Sequence, residues 1–307
     1  MNAFIGTGAA IVTPFTEEFT IDYPALEKLL NHTKNLDYWV INGTTAESAT
    51  LNSEEKYAIL DFARKHNPTK KPIMFGLGGN NTAEVVHQLQ TADLSGVDAI
   101  LSVCPYYVKP TQQGIIAHYH AVADASPVPV LLYNVPSRTG VNMDAETIAT
   151  LAQHPNIFGV KDASGDLVQG MRIVNSTPND FLLLSGEDTL TIPLISIGAK
   201  GVISVIANVL PDEYSQVIND ALNGNFPLAT TEMGRLLDFN EALFEEGNPV
   251  GVKAALSAIG IGTPHVRLPL VQSSEELRTK LSQQLAEIKL EARKQVFFSN
   301  FDAKAAI

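Results

Sequence analysis

Lys161 closes an otherwise apolar run, Ile157-Phe158-Gly159-Val160-Lys161. An amine at the end of a buried strand loses hydration, which disfavours its ammonium form and frees a nucleophile suited to forming a Schiff base with a ketone. The competing reading is structural, a strand-end lysine paired with Asp162 or another nearby acid. Tyr133 ends a second apolar run and could pass protons at a reacting carbonyl, although a strand-end tyrosine also serves as packing. Thr44 and Thr45 follow Gly43 ahead of a helical stretch, where hydroxyls and free N–H groups either hold a carboxylate or cap the helix. Arg138, after Pro136-Ser137, offers a planar fork for a second carboxylate, or is a solvated loop charge.

Other reactive residue types lack a supporting pattern. Cys104 is the single cysteine and sits in the apolar run 99–104, which predicts a buried thiol and no disulfide framework. Gly76-Leu77-Gly78-Gly79 follows an apolar run but lacks the third glycine of a dinucleotide fingerprint. His118 and His120, two apart on a predicted helix, point to different sides and make a poor metal pair. The expectation is therefore an enzyme with no metal and no organic cofactor.

The candidate groups need a scaffold that brings them together. Short apolar runs recur about every 25–30 residues with amphipathic stretches between them. They are 9–14, 38–42, 72–77, 99–104, 128–133, 157–161, 181–184 and 201–205. Runs apolar almost throughout suit strands covered on both faces, hence a parallel sheet. Asn52 and Glu55 are spaced as a capping box, and Pro24, Pro193 and Pro211 fall near helix starts. Eight such βα units predict an α/β fold, a (β/α)8 TIM barrel, with a doubly wound open sheet as the alternative. Chemistry in a barrel belongs at the C-terminal ends of the strands. Thr44, Thr45, Tyr106, Tyr107, Tyr133, Arg138, Lys161 and Gly186 all follow or close a predicted strand. Beyond residue 224 the strand signal stops, and 226–244, 249–259 and 273–294 read as helices. The expected organisation is a catalytic barrel, 1–224, with a C-terminal helical extension, 225–307. Residues 296–307 carry Phe297, Phe298 and Phe301 without clear periodicity.

Composition narrows the partners. A net charge of −12 opposes the basic surface that phosphate-tracking nucleic-acid binders carry. No apolar run reaches the ~18 residues of a membrane span, and the first residues lack the basic start of a signal peptide. A cytoplasmic protein acting on small molecules follows as the expectation.

Taken together, these motifs resemble the pyruvate-dependent Schiff-base aldolase superfamily and, within it, the dihydrodipicolinate synthase family, from about Ile5 to Leu270. The carriers are the stretches 10–14, 43–51, 105–107, 132–140, 159–164 and 267–269. The resemblance implies condensation of pyruvate with L-aspartate 4-semialdehyde. Lys161 would form the imine, and Tyr133, Thr44 and Tyr107 the proton relay. Thr45 would hold the pyruvate carboxylate and Arg138 that of the aldehyde, with Gly186 and Ile203 lining the pocket by backbone groups. It also implies a homotetramer of tight dimers in which Tyr107 reaches the neighbouring site. An allosteric lysine pocket would be built from Ser48, Ala49, Ser53, Lys56, Asn80, Glu84 and Tyr106. There Lys56 would face the effector's own ammonium and weaken inhibition. Ala46 departs from the family's usual glycine, a cost if that position needs a positive φ. N-acetylneuraminate lyases and keto-deoxy-sugar-acid aldolases share the lysine and tyrosine but usually lack Ser137-Arg138. A non-catalytic ligand-binding barrel is the reading from another class.

Overall fold

The computed structural model describes residues 2–67 and 69–305, with side chains described within 3–290. Eight parallel strands close into a barrel in sequence order. They are β1 (Gly6–Ala10), β2 (Tyr38–Ile41), β3 (Ile73–Gly76), β4 (Ala99–Val103), β5 (Val130–Asn134), β6 (Ile157–Asp162), β7 (Leu182–Ser185) and β8 (Gly201–Ser204). Alternation along each strand sorts its residues into two cores, as a period of two requires. Tyr38, Val40, Leu131, Tyr133, Leu182, Leu184 and Ile203 fill the interior. Trp39, Ile41, Leu132, Val160 and Leu183 face the surrounding helices.

The helices begin where the sequence offers caps. Side chains of Asp22, Asn52, Asn81, Thr111, Asp144 and Asp166 each accept from a first-turn N–H. Each satisfies a donor the helix cannot. Asn52 and Glu55 form the capping box reciprocally. These caps lie at the strand-to-helix turns, so they also fix the rim on which the candidate residues sit.

The first strand lies earlier than the 9–14 expected. Gly6-Thr7-Gly8 has weak strand propensity, yet Gly8 pairs with Tyr38 in register. A Cβ on Gly8 would stand 2.0 Å from the Tyr38 ring, so only glycine lets that ring fill the barrel floor. Ile11, Val12 and Thr13 are buried in the turn beyond the strand.

Three further helices, Phe226–Ala242, Val250–Ala258 and Glu275–Ala305, follow the barrel. Ala229, Met233, Phe239, Val252, Leu256, Leu277 and Leu281 join the same apolar core as the sheet's outer face. The last helix runs past the expected 294 to Ala305. The side chains of Phe297, Phe298 and Phe301 lie outside the described residues. No described helix is long and apolar enough to cross a membrane.

Candidate active site

Lys161 and Tyr133 are direct partners in the β5–β6 register, both pointing into the barrel at its C-terminal end. Their side chains are buried, 6% and 5% exposed, and the Lys161 Nζ lies 4.3 Å from the centroid of the Tyr133 ring. Asp162 does not pair with the lysine. It points to the opposite face of β6 and is taken up by Asn134 at 2.8 Å and Ser164 at 2.6 Å. Burial raises its carboxyl above the usual range, opposed by these hydrogen bonds. The salt-bridge reading of Lys161 thus loses its nearest acid.

Room for the amine comes from β7. A Cβ on Gly186 would stand 3.0 Å from the Lys161 Cε and 2.7 Å from the Ala163 Cβ, so any larger residue would displace the lysine. Glu187 follows, its carboxyl pushed up by burial and by Asp188, while the Lys161 charge pulls it down. Ile203 belongs to the barrel interior with Tyr133.

The β2 turn supplies the third side. Thr44 lines a cavity of about 80 Å³ together with Tyr133, Asn42 and Leu101. It also lines an open cleft of about 380 Å³ whose far wall carries Arg138, Tyr106 and Asn248. Thr44 is therefore shared by the cavity that Tyr133 lines and the cleft that Arg138 lines. Residues 44–46 form one short 3-10 turn. Among the described residues the N–H groups of Thr44 and Thr45 have no protein acceptor, as a carboxylate cradle requires. The Thr45 hydroxyl accepts from the Asn248 Nδ2 at 3.0 Å. Ala46 carries no left-handed strain; the positive φ falls on Glu47, at 57°. The departure from glycine is therefore harmless to this turn.

Tyr107 is not brought to this site. It is 87% exposed at φ 71°. The residues named for a lysine pocket fall in two groups. Ser48, Ala49, Lys56 and Tyr106 line the larger cleft, and Ser48, Ser53 and Lys56 the smaller cavity. Asn80 Nδ2 donates to the Tyr106 carbonyl at 3.2 Å, and Glu84 accepts from Gln88 Nε2 at 2.7 Å. Among the described residues no cluster of three or more His, Cys, Asp or Glu could hold a metal.

Sequence reasoning singles out neither Asn248 nor Lys253, yet both reach the β2 turn, Lys253 from Val250–Ala258 and Asn248 from the connection just before it. A signal for Lys253 was present: a lone charge inside the apolar stretch Val250–Ala258, the same kind of signal that marks Lys161.

The sequence model of the dihydrodipicolinate synthetase family matches residues 3–288. The chain belongs to that family. The 4-hydroxy-tetrahydrodipicolinate synthase of Cytophaga hutchinsonii is 50% identical over 285 residues, covering 92% of this chain and 96% of that one. The same-named protein of Flavobacterium psychrophilum is 45% identical, covering 92% and 97%. The crystal structure of dihydrodipicolinate synthase from Aquifex aeolicus superposes with a TM-score of 0.89 at 39% identity, covering 94% and 99%. This dihydrodipicolinate synthetase family member thus has its barrel, its strand-end lysine and its rim turn within the matched residues.

Proposed function

We propose that this chain condenses pyruvate with L-aspartate 4-semialdehyde to give 4-hydroxy-tetrahydrodipicolinate and water. The observation that carries the reading is the buried Lys161 amine against the Tyr133 ring, with Gly186 leaving the space beside it. The Lys161 amine adds to the C2 carbonyl of pyruvate, and loss of water gives an imine. Loss of a methyl proton makes C3 an enamine nucleophile, which attacks the aldehyde carbon. The aldehyde's own amine then displaces Lys161 from C2, closing the ring and freeing the lysine.

Each step moves a proton, and Tyr133 with Thr44, which line one cavity, would carry it. The Thr44–Thr45 N–H groups suit the pyruvate carboxylate, and the Arg138 fork, across the larger cleft, suits that of the semialdehyde. On the same reading the enzyme works in the cytoplasm as a homotetramer of tight dimers. Tyr107 of the partner subunit would complete the relay.

Incubation with pyruvate and borohydride should leave a reduced three-carbon adduct on Lys161 alone. Lys161→Ala should lose both the adduct and most of kcat. An unmodified Lys161, or a fully active alanine variant, would sink the Schiff-base reading.

A further inference from the structure

We infer that Lys253, acting through Glu47, is a positioning residue for the reaction, holding the 43–47 turn in the conformation that presents the Thr44 hydroxyl and the Thr45 N–H. The inference rests on the proposed function and deepens it. The turn is flanked by two non-glycine residues in the left-handed region, Asn42 at φ 64° and Glu47 at φ 57°. Such a conformation is strained for a residue with a Cβ, and it persists only where its surroundings hold it there. Asn42 is held by its Nδ2 donating to the Gly76 carbonyl at 2.6 Å.

Glu47 is held by charge. Its carboxylate is 1% exposed, and the Lys253 Nζ, also 1% exposed, donates to its Oε1 at 2.5 Å. The Arg267 N–H donates to its Oε2 at 2.9 Å. The ammonium is itself fixed by donation to the His265 carbonyl at 2.8 Å and by the Phe15 ring, 4.0 Å to the centroid. Burial pushes the Lys253 amine down to about 8, with the Glu47 carboxylate working against that fall.

A buried ion pair of this kind is a weak source of stability, because desolvating both ions offsets most of their attraction. What it supplies here is a single allowed direction for the Glu47 side chain, and through it a single backbone path for the turn. Lys253 sits on Val250–Ala258, in the C-terminal helices, so those helices help shape the site although none of their side chains need touch the reacting carbons.

The test measures pyruvate half-saturation by borohydride trapping, steady-state constants and unfolding midpoints for Lys253→Met, Glu47→Gln and the double variant. Lys253→Met should raise pyruvate half-saturation and lower kcat by about ten-fold each, with the KM for the aldehyde little changed. Glu47→Gln, which keeps a hydrogen bond to the lysine, should show the smaller defect. The double variant contains no lone buried charge, so its midpoint should recover while its pyruvate half-saturation stays high. If Lys253→Met does not fold, the other two variants carry the comparison. Unchanged half-saturation, or kinetic constants that recover in step with stability, overturns the positioning role. If the unsubstituted enzyme traps no pyruvate, the proposed function itself fails.

Discussion

At the residue scale, the site sets a buried amine, Lys161, against two cations that line its open cleft, Arg138 and Lys56. Lys161 stands out because a charge interrupts an apolar strand, and the structure places it beside Tyr133. The burial of Cys104 follows from the same kind of context, and its thiol is pushed up to about 12 by desolvation. Nothing local in the sequence says that Asn248 meets Thr45 or that Lys253 meets Glu47, because those contacts span about two hundred residues. Arg138 stands exposed at the edge of the larger cleft, free to close on a carboxylate. Arg138→Ala should raise the KM for aspartate semialdehyde about ten-fold or more, the loss of one charge-assisted hydrogen-bond pair. Pyruvate trapping should persist; equal damage to both substrates would mean that Arg138 holds its loop instead. Lys56 makes a second test. It is half-buried between the cavity and the cleft, and desolvation lowers its pKa. A lysine effector there would set ammonium against ammonium, costing between about 1 kcal/mol in water and about 4 kcal/mol in a partly buried setting. Lysine should therefore half-inhibit only above about 1 mM, a ten-fold change accompanying each 1.4 kcal/mol. Sub-millimolar inhibition would refute this, and a gain of sensitivity in Lys56→His would support it.

At the scale of elements, seven strands lie within two residues of their apolar runs, since a strand covered on both faces has to be apolar on both. The first does not, because its residues are glycine, threonine and alanine, and what qualifies them is the Tyr38 ring they accommodate. Contacts between helices were likewise invisible. His118, on Gln112–Ala125, meets the Thr82 hydroxyl at the start of Thr82–Thr91, Nδ1 to Oγ1 at 2.9 Å. Its Nε2 is buried without a protein partner, and burial pushes the ring down to about 4. Below the ordinary value of 6.5 the unfolded chain takes up a proton that the folded ring refuses, so stability falls as pH drops from 6.5 towards 4. The share at stake is on the order of 3 kcal/mol at the acid end. His118→Gln should lose that share of the acid dependence, measured as the difference in urea unfolding free energy between pH 7 and 4.5. An unchanged difference would show that the ring titrates normally in the folded state.

At the scale of the whole molecule, the closed barrel explains why so many rim residues converge from distant segments, and it also shows which one does not. Tyr107 follows β4 like its neighbours on the rim, yet it is 87% exposed, has a left-handed backbone and lines neither the cavity nor the cleft that Thr44 lines. A non-glycine residue in that region is strained, and it persists only where its surroundings hold it there. Tyr106 and Val108 beside it are also exposed, as are Leu268 and Val271 between Val250–Ala258 and Glu275–Ala305. If Tyr107 serves a neighbouring site, the defect of Tyr107→Phe and that of Lys161→Ala should complement in trans. Each variant alone should be nearly inactive. In a mixed dimer, the chain that keeps Lys161 receives Tyr107 from the other, so one of the two sites is whole. Random exchange makes about half the dimers mixed, and half their sites intact, so the mixture should recover about a quarter of the unsubstituted activity. The recovery should rise with the time allowed for subunit exchange, followed with differently tagged chains by native mass spectrometry. Mixed dimers that form and stay inactive would place Tyr107 in the service of its own chain, or outside the relay altogether.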